Sequence, residues 1–176
     1  MKSRSLILTL ALLFLSVFAF SQNKDDKRVM MDAEKSIKLL KSSDEGLEKF
    51  MDNASGYVVF PNVGEGALII GAASGNGVVY SDGVPIGMAS LKKLDIGLQA
   101  GGEAYTQIIF FETEEALNEF KEENFELSAE AKVVMVEKGA SKNANYNDGV
   151  VVFVKSKAGA MADISVGSQK FSYSEF

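Results

Sequence analysis

The sequence predicts an α+β fold: a mostly antiparallel, strongly curved or barrel-like β-sheet with helices packed around it, including an N-terminal amphipathic helix. Two observations carry this. Val29, Ala33, Ile37 and Leu40 recur at intervals of four and three, which places them on one helix face. From Gly56 to Gly102 the chain holds eleven of its sixteen glycines among short runs of Val, Ile, Leu and Tyr, the texture of strands joined by tight turns.

Taken in order, Lys2 and Arg4 precede an apolar run from Leu6 to Phe20, and the small residues Ala19 and Ser21 stand just before Gln22. That is the layout of a secretory signal peptide cut after Ser21, which makes residues 1–21 a processing segment and 22–176 a single domain. No cysteine stands at the cut, so the exported chain, periplasmic or secreted, carries no lipoprotein anchor of that kind. Its loss takes Lys2 and Arg4 and moves the formal charge from −6 to −8.

The spacing predicts a helix from Lys24 to Met51, broken or bent at Gly46. Residues 24–41 carry six bases against four acids, a local excess of +2 in an acidic chain. Tyr57 to Phe60 reads as a strand stopped by Pro61-Asn62, and Ala67 to Ile70 as another. Gly75-Asn76-Gly77 and Asp82-Gly83 supply positive-φ positions for hairpins. Leu94, Ile96, Leu98 and Ala100 alternate with polar residues or glycine, as in a half-buried strand. Gln107 to Phe111 is an apolar strand, after which Thr113 caps a helix whose inner face carries Leu117 and Phe120. Residues 112–130 contain eight glutamates and one lysine, a solvated acidic edge. Val133 to Val136 and Val150 to Val154 are strands flanking a polar loop, and Ile164 to Val166 forms a hairpin with Phe171 to Tyr173 around Gly167-Ser168.

The 176-residue chain contains no His, Cys or Trp. Ser-His-Asp triads, cysteine nucleophiles, imidazole bases, thiolate or imidazole zinc sites and disulfides are therefore excluded. The negative balance argues against nucleic acid, whose phosphates call for clustered Lys and Arg. Gly64-Glu65-Gly66 lacks the third glycine of a dinucleotide turn, and Gly71 to Gly77 lacks the Lys-Ser/Thr of a phosphate loop. Glu65, Asp95, Glu103 and Asp163 are acids in the strand-rich part, but spacing alone pairs no two of them for acid–base chemistry. No enzyme, cofactor or metal is implied.

What remains is binding. Lys27, Arg28, Lys35, Lys38 and Lys41 are the expected headgroup contacts, and Val29, Ile37 and Leu40 the apolar contact, of a helix lying on a phospholipid surface. A second basic cluster, Lys138, Lys142, Lys155 and Lys157, offers a further patch. The competing expectation is a scaffold that binds a protein partner through the acidic helix at 112–123 or a sheet edge.

Several blocks, in order and spacing, resemble the SYLF domain family across roughly residues 30 to 174. They are Val58-Val59-Phe60-Pro61 with Gly64, Gly71 and Gly75-Asn76-Gly77-Val78; Asp95-Ile96-Gly97-Leu98-Gln99-Ala100-Gly101-Gly102; Ile108-Ile109-Phe110-Phe111 running into Thr113-Glu114-Glu115-Ala116-Leu117; Ser128-Ala129-Glu130-Ala131; and Lys157-Ala158-Gly159-Ala160-Met161-Ala162. The resemblance implies a non-catalytic lipid-binding module, mostly antiparallel β with helices around it. In some relatives an N-terminal amphipathic segment inserts at the membrane, which here maps onto the helix beginning near Lys24. The resemblance implies phospholipid binding, of phosphoinositides in eukaryotic relatives; an acidic chain exported to an envelope argues against that headgroup, which leaves a generic anionic phospholipid as the expected ligand.

Overall fold

Residues 24–65, 72–94, 104–122, 125–127, 131–157, 166 and 168–176 are described by a computed structural model. Residues 24–43 are helical (α1), and a second helix follows at Leu47–Asn53 (α2). The strands are β1 (Gly56–Glu65), β2 (Ala72–Ser81), β3 (Val84–Leu94) and β4 (Ala104–Phe111), then helix α3 (Glu114–Lys121), β5 (Val133–Met135), a 3₁₀ turn at Ala140–Asn143, β6 (Val150–Ser156) and β7 (Lys170–Glu175). They form one seven-stranded sheet in the order β5-β6-β4-β1-β2-β3-β7, antiparallel throughout except for the parallel pair β5–β6.

The sheet is open: β5 and β7 are its two ends, so the barrel-like closure expected from the glycines is corrected. Those glycines serve close approach. A Cβ on Gly77 would stand 2.6 Å from the Val59 carbonyl oxygen and 2.7 Å from the Phe60 ring, so Gly77 lets neighbouring β1 pack tightly against β2. Gly75-Asn76-Gly77 is accordingly the middle of β2, paired with β3, and not a turn. Asp82-Gly83 is the turn: both residues have positive φ, 51° and 74°, and connect β2 to β3 in the two-residue form that matches strand twist.

Pro61-Asn62 does not stop β1. Phe60 pairs with Gln107 and Val63 with Tyr105, so these two residues oppose Thr106 alone in a bulge. The buried Thr106 hydroxyl donates to the Pro61 carbonyl at 3.1 Å, which satisfies an acceptor the bulge takes out of the ladder. The extra residue also brings Phe60 and Val63 to the same face. Phe171 to Tyr173 pairs with β3, and Ile164, Ser165 and Gly167 of the expected hairpin lie outside the described residues. Ala67 to Ile70 and most of the stretch from Leu94 to Ala100 lie outside them as well.

Side chains alternate along the strands into two cores. On one face Val58, Phe60, Val79, Ile109 and Phe111 pack with Ala116, Leu117 and Phe120 of α3. On the other Val59, Val78, Ile108, Phe110 and Phe153 pack with Ala33 and Leu40 of α1 and Leu47 of α2. Covered on both faces, β4 is buried from Tyr105 to Phe111, which is why Ile108 to Phe111 is a continuous apolar run. Thr113 caps α3 by accepting from the Ala116 N–H at 3.3 Å, and Glu114 and Glu115 complement the positive end of the helix.

Between α1 and α2 the buried Asp44 accepts from the backbone N–H of Ser141 at 2.7 Å and of Gly46 at 3.1 Å, tying the helix junction to the 3₁₀ turn. Burial acts to raise the pKa of this carboxyl, but the N–H groups of Ser141, Gly46 and Gly139 outweigh it and hold it below the usual carboxylate range. A value lowered by folding adds stability above the unfolded-state pKa of about 4, and that stability is lost as pH falls through the folded-state value. Asp44→Asn is expected to lower unfolding free energy by about 1–3 kcal/mol at pH 7. Urea denaturation at pH 7 and at pH 3 checks this: the gap between the two proteins should shrink at the lower pH, and an equal gap at both would show that the charge is not what ties the junction.

Candidate functional site

A helix buries only one of its sides, so the useful question about α1 is what the other side carries. At 100° per residue, Ala33, Ser36 and Leu40 mark the inward side, all under one-tenth exposed, with Val29 and Ile37 half-buried against the same core. The expected apolar membrane contact is thereby corrected: Val29, Ile37 and Leu40 pack on the sheet, because the face made by Tyr57, Val59, Val78 and Phe110 needs an apolar cover. Tyr57 and Tyr80 stack beneath this region, centroids 4.9 Å apart, and burial first, then Tyr57 and Glu34, pushes the Tyr80 phenol up to about 12.

The outward side of α1 carries Lys24, Lys27, Arg28, Lys35 and Lys38, all exposed, together with Met31 and Leu39. Met31 is 59% and Leu39 50% exposed, two of the four most exposed large apolar side chains among the described residues. Asp25, Asp32 and Glu34 fall on the flanks. Arg28–Asp25 and Lys35–Asp32 approach to 3.6 Å, and such exposed pairs hold their charges only loosely. Lys41 stands apart from this strip, its ammonium 2.6 Å from Glu48 of α2. Of the eight expected contacts, then, Lys27, Arg28, Lys35 and Lys38 share one accessible surface, Lys41 is paired at the helix junction, and the three apolar residues face inward.

Beside the first turns of α1 a cleft of about 300 Å³ opens over β2 and β3 at the Pro61-Asn62 bulge. Arg28 and Val29 form one wall, and Lys92 stands on the sheet side. Asn62, Ser74, Asn76 and Ser90 supply neutral hydrogen-bonding groups, and Asp32 is the acid among the lining residues. A second hollow of about 200 Å³ shares Asn76 and Ser90 and continues to Ser172 and Ser174 of β7, where the Ser90 and Ser172 hydroxyls meet at 2.7 Å. Lys157, from the second basic cluster, donates its ammonium to the Asn62 side chain at the cleft rim. A guanidinium and an ammonium facing small polar groups suit a phosphate oxygen set. With no His or Cys anywhere in the chain, the serine hydroxyls here have no imidazole or thiolate partner. Of the carboxylates weighed for catalysis, Glu65 ends β1, and Asp95, Glu103 and Asp163 lie outside the described residues.

Sequence reasoning missed Met31, Leu39, Asn62, Asn76, Ser90 and Lys92. The signal for the first two was present: they lie across the helix from the apolar stripe, among bases. No linear signal places Lys92 beside Arg28, because only the sheet register brings β3 under α1.

Among the described residues no helix is long and apolar enough to cross a membrane. Residues 92–174 match a family model whose description reads Ysc84: Las17-binding protein actin regulator. The match runs from the end of β3 through β7 and does not include α1. No curated protein matches the chain.

If the inward and outward sides of α1 are assigned correctly, Leu40→Ala lowers unfolding free energy by about 2–5 kcal/mol. Met31→Ser and Leu39→Ser each stay within about 0.5 kcal/mol of the parent. Urea titration of the three variants is the check, and a costly Leu39→Ser beside a neutral Leu40→Ala would reverse the assignment.

Proposed function

Since the chain carries a Ysc84 (SYLF) domain over residues 92–174, we propose that it is a non-catalytic binding module that associates peripherally with anionic phospholipid surfaces. The observation that carries this reading is the outward side of α1, where five exposed bases surround Met31 and Leu39. Basic side chains draw the helix to anionic headgroups, and the two apolar side chains dip into the interface while the helix stays on its sheet. The adjoining cleft, with Arg28 at its wall and Lys92 opposite, receives a headgroup phosphate. Residues 1–21 act as a cleaved export signal in this reading, so the surface reached belongs to the cell envelope or the exterior, and the mature chain is periplasmic or secreted.

A second reading, a scaffold for a protein partner, draws on the family description, which names a binding protein, and on the exposed acids of α3. Salt separates the two when residues 22–176, which contain every described element, are co-sedimented with phosphatidylglycerol and phosphatidylcholine vesicles. Pelleting is expected with the anionic vesicles alone and should weaken as salt is raised. Lys35→Glu combined with Lys38→Glu removes at least two attractions of about 1 kcal/mol each, a loss of about 30-fold or more in partitioning. Unchanged pelleting by that variant would remove α1 as the contact, and a parent chain that pellets with neither vesicle would leave the protein-partner reading.

A further inference from the structure

The two faces of the sheet carry helices of opposite charge. On one face α1 turns five bases outward, with Asp25, Asp32 and Glu34 along the flanks of the strip and Arg28 and Lys35 each 3.6 Å from one of these acids. On the other, α3 turns outward Glu114, Glu115, Glu119 and Glu122, all exposed, with Asn118 among them. Lys121, half-buried at the flank of α3, donates its ammonium to the Asn118 side chain at 3.3 Å, which leaves four acids against one base on this side. The acidic side also has an apolar receptor. A groove of about 160 Å³ beside α3 has walls from Phe125, Leu127, Ala131 and Val152, and Glu119, Glu126 and Asp148 are among the residues that line it. Lys132 is the base in that lining. The chain's own complement to an acid-rimmed apolar groove is a basic strip with projecting apolar side chains, and α1 presents that in Met31 and Leu39.

We propose that this protein associates with itself head to tail, the outward side of α1 in one copy lying along α3 and its groove in the next. Both surfaces cannot be satisfied in one closed pair by this contact, since they sit on opposite faces of the same sheet. Until a ring closes, each added copy leaves one basic and one acidic face open, and the assembly is heterologous. A single helix on a shallow groove is a small contact, so the association is weak in dilute solution and depends on low ionic strength. It uses the α1 side assigned above to phospholipid, so a given copy makes one contact or the other. The association itself does not depend on the lipid reading.

The test is sedimentation velocity of residues 22–176 over a concentration series, at about 30 mM and about 300 mM salt, where screening lengths differ roughly threefold. The weight-average sedimentation coefficient should rise with concentration at the lower salt and stay at the monomer value at the higher. Lys35→Glu with Lys38→Glu should be monomeric, as should Glu115→Lys with Glu119→Lys. An equimolar mixture of the two reversed proteins should associate again, because each then offers the other a complementary α1 and α3. From the mature −8 the reversals give −12 and −4, so overall charge repels and only the local surfaces attract. A parent chain that stays monomeric at every concentration in low salt, or a mixture that does not regain association, overturns the proposal. A Glu115→Gln, Glu119→Gln protein keeps its α1 side intact and adds no base to α3, so its pelleting with anionic vesicles reports on lipid contact independently of self-association.

Discussion

Burial of the inner side of α1 is the constraint on which the rest of the structure depends. A mixed sheet with both faces apolar needs a cover on each. α3 and the segment at Phe125 that follows it supply one, with Phe120, Phe125 and Phe171 of β7 in mutual ring contact. The other face is closed by α1 and α2 through Ala33, Leu40 and Leu47, with Phe50 against Phe110 and Phe153. Docking α1 there decides which of its residues remain available, brings Arg28 to the cleft that Lys92 also lines, and separates the basic helix from the acidic one by the thickness of the sheet.

How far this was legible in the sequence follows from the range of each signal. Asp82-Gly83 and the Thr113 cap were readable because a turn and a helix start are decided by neighbouring residues. Gly75-Asn76-Gly77 was misread because a glycine that admits another strand's side chain looks, in one dimension, like a glycine that turns the chain. Pro61 reads as a strand end because its missing N–H weakens a ladder, but a bulge accommodates it and the Thr106 hydroxyl satisfies its carbonyl. The fold class was recoverable from periodicity, whereas closure of the sheet is set by which strands end up at its edges, and β7 reaches β3 from far along the chain.

For the candidate site the misreading was physical and instructive. An amphipathic stripe shows that one side of a helix prefers to leave water without saying whether protein or lipid receives it. The sheet face of Tyr57, Val59, Val78 and Phe110 receives the stripe of Val29, Ile37 and Leu40. The bases Lys27, Arg28, Lys35 and Lys38 were identifiable from charge alone, and remain accessible because they lie opposite the stripe. Asp44 was invisible beforehand, since its role depends on Ser141, nearly a hundred residues away.

The central claim is that α1 meets a surface from its outer side while its inner side stays in the core. Hydrogen exchange of the α1 amides, measured by mass spectrometry with and without phosphatidylglycerol vesicles, tests it most directly. A docked helix keeps, or gains, protection at residues 33–40 when vesicles are added, and protection rises together with that of the sheet strands beneath it. Loss of protection in the Val59, Val78 and Phe110 strands on vesicle binding, with α1 exchanging independently of them, would show that the helix leaves the sheet and would contradict the account.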